Sequence, residues 1–253
     1  MNRFTDKVVI VTGAGSGIGA ATARRFSREG ASVVLVGRRR EKLEEVAASL
    51  ENEAFVRPAD VSKLDEVEAL MREVAERYGH IDVLVNNAGV AKSGKVHEAA
   101  VEDWQQVMAV DVDGVFHGCR AAMPWLIASR GAIINVSSVS GIGGDWGMSF
   151  YNAAKGAITN FTRALALDHG EDGVRVNAVC PSSTKSEMSE DLLKNEELVS
   201  AFQQRIPMGR VAEAEEVGDV IVFLASHDAR FVSGVNLPVD GGLSASNGQP
   251  RQA

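Results

Sequence analysis

Seven short apolar runs separated by stretches with helical spacing constrain this chain more than any other feature of it. The runs cover residues 8–12, 32–36, 54–57, 81–86, 132–137, 174–180 and 235–239, and most are rich in Val, Ile or Ala. A strand that is apolar at nearly every position, rather than at alternate ones, suits a sheet covered on both faces. Helical patterns at 18–29, 40–50, 63–78, 101–129, 150–168 and 213–225 lie between the runs. Strand–helix alternation makes successive strands parallel, so the expected fold is a seven-stranded, doubly wound α/β sheet of the Rossmann type in one domain spanning 1–253. Residues 182–207 lack a strong core pattern and are expected to form a lid with a short helix. The tail, 243–253, reads as flexible.

The first strand opens directly into Gly13-Ala14-Gly15-Ser16-Gly17-Ile18-Gly19, and a helical pattern follows from Ala20. Glycines at this point let the backbone turn tightly and approach a pyrophosphate, while the helix N-terminus favours its negative charge. The spacing, Gly13, Gly17 and Gly19, is GxxxGxG rather than the commoner GxGxxG. Glycine serves any turn, so the loop gains weight only from its place between a strand and a helix.

A second motif asks for the same cofactor. Tyr151 and Lys155 stand four residues apart in a helical stretch, on one face, and Ser138 lies thirteen residues upstream at the carboxyl end of the fifth run. An ammonium beside a phenol, together with the positive ring of an oxidised nicotinamide, is expected to pull the phenol down from about 10 toward acid–base use. Ser138 can then hydrogen-bond the substrate oxygen while Tyr151 exchanges its proton. The competing reading is an ordinary i,i+4 helix pair. It gives way because two separate motifs converge on hydride transfer.

The formal charge of −8, from 26 basic and 34 acidic residues, disfavours nucleic acid or an anionic membrane as partner. No apolar run approaches the ~20 residues of a bilayer span, and residues 1–6 carry no signal-like apolar segment, so a cytoplasmic protein is expected. Cys119 and Cys180 are far apart and read as buried small hydrophobes. No metal site is indicated, and His97, His117 and His169 read as surface or packing residues.

With these residues in hand, the chain resembles the short-chain dehydrogenase/reductase family from Lys7 to Gly242. The resemblance also rests on Asp60-Val61, Asn86-Asn87-Ala88-Gly89, Arg175-Val176-Asn177-Ala178-Val179-Cys180-Pro181 and Val239-Asp240-Gly241-Gly242. It implies an NAD(P)-dependent oxidoreductase acting on an alcohol or ketone, and commonly a homotetramer built through the 101–129 and 150–168 helices. Ser138 would orient the substrate oxygen, Tyr151 would be the acid–base group, and Lys155 would lower the phenol and hold the nicotinamide ribose. Cofactor contacts would come from Gly13, Ser16, Gly17, Ile18 and Gly19, from Asp60 and Val61 at the adenine, and from Asn87, Ala88, Gly89, Pro181 and Ser186. Asp111 stands where most members have Asn in a proton relay, and Ser182 stands where most have Gly. Within the family, Asp111, the loop 143–147, the run 168–173 and the tail look most like bacterial meso-2,3-butanediol (acetoin) dehydrogenases.

The second strand runs into Gly37-Arg38-Arg39-Arg40, with no carboxylate until Glu41. An acidic residue here would read the ribose hydroxyls of NAD, whereas an Arg can pair with a 2′-phosphate, so NADP(H) is preferred and NAD(H) is the alternative. A solvated run with Arg40 and Glu44 paired is the bland reading. Trp146 either walls a small substrate or simply packs, and Asp145 either meets a second substrate hydroxyl or takes a capping or solvent role. Gln249 is expected to reach a neighbouring subunit's pocket, against the simpler expectation of a frayed terminus. The substrate expected is a vicinal diol or hydroxyketone. Two other readings stay open, a 3-ketoacyl-carrier-protein reductase and a non-catalytic nucleotide sensor. Against the carrier reductase, Glu187, Glu190, Asp191, Glu196 and Glu197 face only Lys185 and Lys194 and would repel an acidic carrier.

Overall fold

A computed structural model describes residues 2–249. Seven strands form one parallel sheet: β1 (Val8–Thr12), β2 (Ser32–Gly37), β3 (Phe55–Pro58), β4 (Val83–Asn86), β5 (Ala132–Val136), β6 (Arg175–Pro181) and β7 (Asn236–Val239), in the order β3-β2-β1-β4-β5-β6-β7. The doubly wound sheet expected from the runs is what the chain forms. Successive residues of β1 point to opposite faces, so Val9 and Val11 join one core cluster and Val8 and Ile10 the other. Covering one face are α1 (Gly17–Arg28), α2 (Arg40–Ala47) and α9 (Ala214–Ala225), whose Phe26, Leu43 and Ile221 are buried beneath it. Covering the other are α3 (Leu64–Tyr78), α5 (Gly114–Ser129) and α6 (Ser149–Asp168), with Leu70, Leu126 and Ile158 inside. The strand order reverses between β1 and β4, and ligands in such sheets sit beyond the carboxyl ends of the strands at that crevice.

The element boundaries fall within a few residues of those expected, with one substantive difference. The 101–129 stretch is not a single α-helix. It comprises α4 (Val101–Val107), a π-helical turn at Met108–Asp113 and α5. A π turn inserts residue length without a break in hydrogen bonding, so it rotates the residues that follow. Here Val107, Asp111 and Gly114 are all buried, and a Cβ on Gly114 would lie 2.7 Å from Val61 Cγ2. Residues 182–207 hold a 3₁₀ turn (Glu187–Ser189), α7 (Glu190–Leu193) and α8 (Glu196–Arg205), two short helices rather than one. After β7 the chain makes a 3₁₀ turn at Leu243–Ala245, with the Asp240 carboxylate accepting from the Gly242 and Ser244 amides at 2.9 and 2.7 Å.

Candidate active site

The glycine loop follows β1 and is braced from β4. Thr12 Oγ1 accepts from the Asn87 and Ala88 amides at 2.9 and 3.1 Å, and Asn87 Nδ2 donates to the Thr12 and Gly13 carbonyls at 2.9 and 3.2 Å. Gly13 and Gly17 have φ of +64° and +50°, where only glycine is unstrained. A Cβ on Gly19 would come within 2.3 Å of the Gly13 carbonyl oxygen. Ser16, the N-cap of α1, makes no side-chain bond to the helix amides, and the first turn of α1 holds no acidic residue. With no acid of its own in that turn, the positive end of α1 suits an anion such as a dinucleotide pyrophosphate, and the Glu187 carboxylate already reaches the Ser16 hydroxyl there. Ile18 packs against the core, and Ser186 Cβ lies 2.8 Å from where a Gly17 Cβ would be, so the 182–207 segment closes directly over the loop.

Ser138 ends the β5 segment and caps a 3₁₀ turn at Val139–Gly141. That turn presses on α6 so closely that a Cβ on Gly141 would meet the Lys155 carbonyl oxygen at 2.6 Å. The contact brings Ser138 beside Tyr151 and Lys155. Lys155 is buried, donates to the Val136 carbonyl at 3.1 Å, and holds Nζ 5.6 Å from the centre of the Tyr151 ring. Ser138 Oγ accepts from the Ser140 amide at 3.1 Å and lies 3.1 Å from Ser140 Oγ, which in turn donates to the Asp145 carboxylate. Ser140 is a member of the site that sequence reasoning missed, because only the 3₁₀ turn brings it back to Ser138. Asp145 is exposed, and its carboxylate is the terminal acceptor of this serine chain.

The ammonium lowers the phenol as expected, but among the protein's own groups it does not decide the net direction. Burial pushes Tyr151 up, Lys155 lowers it, Asp111 raises it again, and the net displacement is upward. Burial and the Asp111 carboxylate, neither of which shows in a four-residue spacing, oppose the ammonium, while the positive ring expected to assist it comes only with the oxidised cofactor. Asp111 is fully buried in the π turn. Its Oδ1 accepts from the Val90 amide at 2.8 Å and its Oδ2 lies 3.0 Å from Lys155 Nζ. Oδ2 has no aligned hydrogen-bond donor, so the charge of Lys155 is what balances it. Gly89 lines the same spot, where a Cβ would lie 3.0 Å from Asp111 Oδ2 and 3.3 Å from Lys155 Nζ.

The three arginines after β2 divide. Arg38 is exposed; against burial, the two bonds from Ser62 and then the Arg38 charge hold the Asp60 carboxyl below its usual range. Arg39, the N-cap of α2, grips Glu187 with two bonds of 2.7 and 2.6 Å, and Arg40 lies 3.4 Å from Glu44. The Arg39 guanidinium, then the Ser16 hydroxyl, outweigh burial and hold Glu187 down to about 2. This clasp corrects the reading of 182–207 as opposed only by its own lysines: Glu187 is neutralised from α2, and Lys185 serves Glu213. Glu196 and Glu197 sit in the first turn of α8, where the helix dipole favours them.

Asp60 accepts from the Ser62 amide and hydroxyl at 3.0 and 2.7 Å, Val61 packs under Gly114, and the Pro181 carbonyl lies 3.5 Å from Ser138 Oγ. Trp146 is 93% exposed, so it is not a packing residue within the chain. Gln249 also lies at the surface, its amide donating to Asn247 Oδ1 at 3.1 Å, and Pro250 falls outside the described residues. Cys119 and Cys180 are both buried. His97 lies 3.3 Å from Glu98, His117 bonds the Val61 carbonyl, and His169 bonds Asp172.

A parallel sheet with a dinucleotide cradle at its switch point and a Ser–Tyr–Lys cluster beside it defines a hydride-transferring oxidoreductase. The chain belongs to the short-chain dehydrogenase/reductase family: residues 13–244 match the family model described as enoyl-(acyl carrier protein) reductase. Among its relatives, meso-2,3-butanediol dehydrogenase of Serratia marcescens is 53% identical, the match covering 98% of this chain and 99% of that one. In three dimensions it is similar to levodione reductase, with a TM-score of 0.93 and 36% identity over 96% of this chain and 99% of that one. It is also similar to the aldohexose dehydrogenase of Thermoplasma acidophilum, at 0.91 and 32% over 100% and 99%. The protein is an oxidoreductase that acts on CH–OH groups and uses NAD(P). Among the described residues no helix is long and apolar enough to cross a membrane.

Proposed function

We propose that the protein interconverts a vicinal diol or hydroxyketone with its oxidised partner, taking NADP(H) in preference to NAD(H). The observation that carries this is the convergence of Ser138, Tyr151 and Lys155 beside the Gly13–Gly19 cradle. The identity to a relative named for meso-2,3-butanediol supplies the substrate class. When bound, the nicotinamide accepts or returns the hydride. Ser138 Oγ holds the substrate oxygen, and Tyr151 Oη takes the alcohol proton in oxidation and returns it in reduction. Lys155 Nζ favours the phenolate and donates to the ribose, while Asp111 holds Lys155 in place. Gly13, Ser16, Gly17, Ile18 and Gly19 take the pyrophosphate, Asp60 and Val61 the adenine, and Asn87, Ala88 and Gly89 the ribose side. Pro181 and Ser186 take the nicotinamide side, and Trp146 covers a small substrate.

A panel of diols, hydroxyketones, cyclic ketones and acyl-carrier thioesters, assayed with both cofactors, tests the reading. The highest kcat/KM should fall on a vicinal diol or hydroxyketone. Preference for the carrier thioester, or no turnover at all, would replace it with the carrier-reductase or sensor reading. For the cofactor, Arg38→Ala should weaken NADP(H) roughly tenfold to a hundredfold, since a charge-assisted contact to the 2′-phosphate is lost, and barely affect NAD(H). Equal effects on both, measured by direct binding, would reverse the preference.

Assembly as a homotetramer through α4, α5 and α6 would cover Trp104, Phe116 and Leu167, which stand 45%, 47% and 83% exposed. In that assembly Gln249 would reach a neighbour's substrate pocket. Truncation after Leu243 should then change KM or diol selectivity while tetramer mass and NADP(H) affinity persist. Unchanged kinetics across several substrates would mark the tail as a terminus without a role.

A further inference from the structure

In the active-site cluster a single buried cation faces a buried carboxylate as well as the phenol it is expected to activate. We infer that Asp111 is the counter-ion of Lys155, holding the lysine charged while withdrawing part of that charge from Tyr151, so that the phenolate forms at a higher pH than it would with an uncharged residue at 111. The inference rests on the assignment of Tyr151 as the acid–base group and concerns what sets its ionisation.

The geometry is that of a closed pair. Asp111 is 0% and the Lys155 side chain 6% exposed, and they stand 3.0 Å apart with Gly89 leaving no room for a side chain between them. An ion pair taken out of water holds both members in their charged forms, because either one alone would bear the cost of desolvation. Burial alone would pull Lys155 down; the attraction of Asp111, then that of Tyr151, turns the net displacement upward. From the phenol's position the two charges of the pair oppose each other, and the benefit of the ammonium is partly cancelled.

The other groups around the phenol do not restore that benefit. From α6 come Tyr151 and Lys155, from the π turn Asp111, from the β5 turn the neutral Ser138 and from the 143–148 loop Asp145, a second carboxylate that raises the phenol further. From β6 the Cys180 thiol faces Lys155 rather than the phenol, and burial pushes it up to about 11. Among the described residues one cation therefore stands against two carboxylates in the protein without its cofactor. An Asn at position 111 could keep the Val90 amide bond through its own Oδ1 and would remove one of those carboxylates.

The chain contains only two tyrosines, Tyr78 and Tyr151, which makes a direct test possible without cofactor or substrate. In a Tyr78→Phe background, near-ultraviolet tyrosinate absorption reports Tyr151 alone, and it is read against pH with and without Asp111→Asn. The added substitution should lower the pH of tyrosinate formation by about one unit, a tenfold change in proton concentration. With cofactor and substrate present, the acid limb of kcat/KM for alcohol oxidation should move the same way. Coincident titrations would overturn the inference. Should the Asn variant fail to fold, Asp111→Ser in the same background takes its place: a lower Tyr151 midpoint would uphold the inference and an unchanged one would overturn it. Failure of the acid–base assignment itself is separate, since Tyr151→Phe retaining turnover would sink that assignment and leave the titration intact.

Discussion

Tyr151→Phe should lower turnover by about 10²–10⁴-fold, the contribution typical of a positioned acid–base group, and leave cofactor affinity nearly unchanged. The substitution keeps the ring beside Lys155 and removes only the hydroxyl. The ribose contact assigned to Lys155 does not involve that hydroxyl, so a cofactor titration followed by nicotinamide fluorescence should overlay the parent. A variant that kept most of its turnover would remove Tyr151 from the reaction and leave the Ser138–Ser140–Asp145 chain as the place to look for the proton donor.

Lys155→Met should be costlier still, because it acts on three things at once. It removes the cation nearest the phenol, the donor assigned to the ribose, and the charge that balances a fully buried Asp111. Breaking one partner from a buried ion pair costs about 3–5 kcal/mol, largely through the charge left behind. Denaturant unfolding should therefore show a loss of that order at neutral pH, together with weaker cofactor binding and loss of activity. Lys155→Met combined with Asp111→Asn should recover much of the stability and none of the activity. If the single variant were as stable as the parent, the pair would carry no structural weight; if cofactor affinity were unchanged, the ribose role would be wrong.

The strands were readable because both faces of each are buried, which writes a nearly continuous apolar run into the sequence. The glycine loop, Tyr151 and Lys155 were readable because their geometry is local: a turn, and one helix face. What was not readable depends on distant segments or on small departures from regular structure. The π turn leaves the apolar pattern of 101–129 almost intact, and Pro124 sits inside α5 without breaking it, so nothing in the spacing separates α4 from α5. Arg39 and Glu187 are 148 residues apart, and no pattern around either one announces the clasp. The upward displacement of Tyr151 follows from burial, which a four-residue motif does not encode.

The reversal of strand order between β1 and β4 has a consequence for the life of the protein in a cell. The cradle joins Thr12 and Gly13, from the start of the chain, to Asn87 and Ala88 after β4 and to Ser186 after β6. A chain missing either half of the sheet has no cradle, and only the native state can take up the dinucleotide. Ligand that binds the native state alone raises its stability by about 2.7 kcal/mol at a concentration a hundred times Kd. The resistance of this enzyme to unfolding and proteolysis should therefore rise and fall with the supply of the coenzyme it consumes, so that its abundance reports on the redox economy it serves.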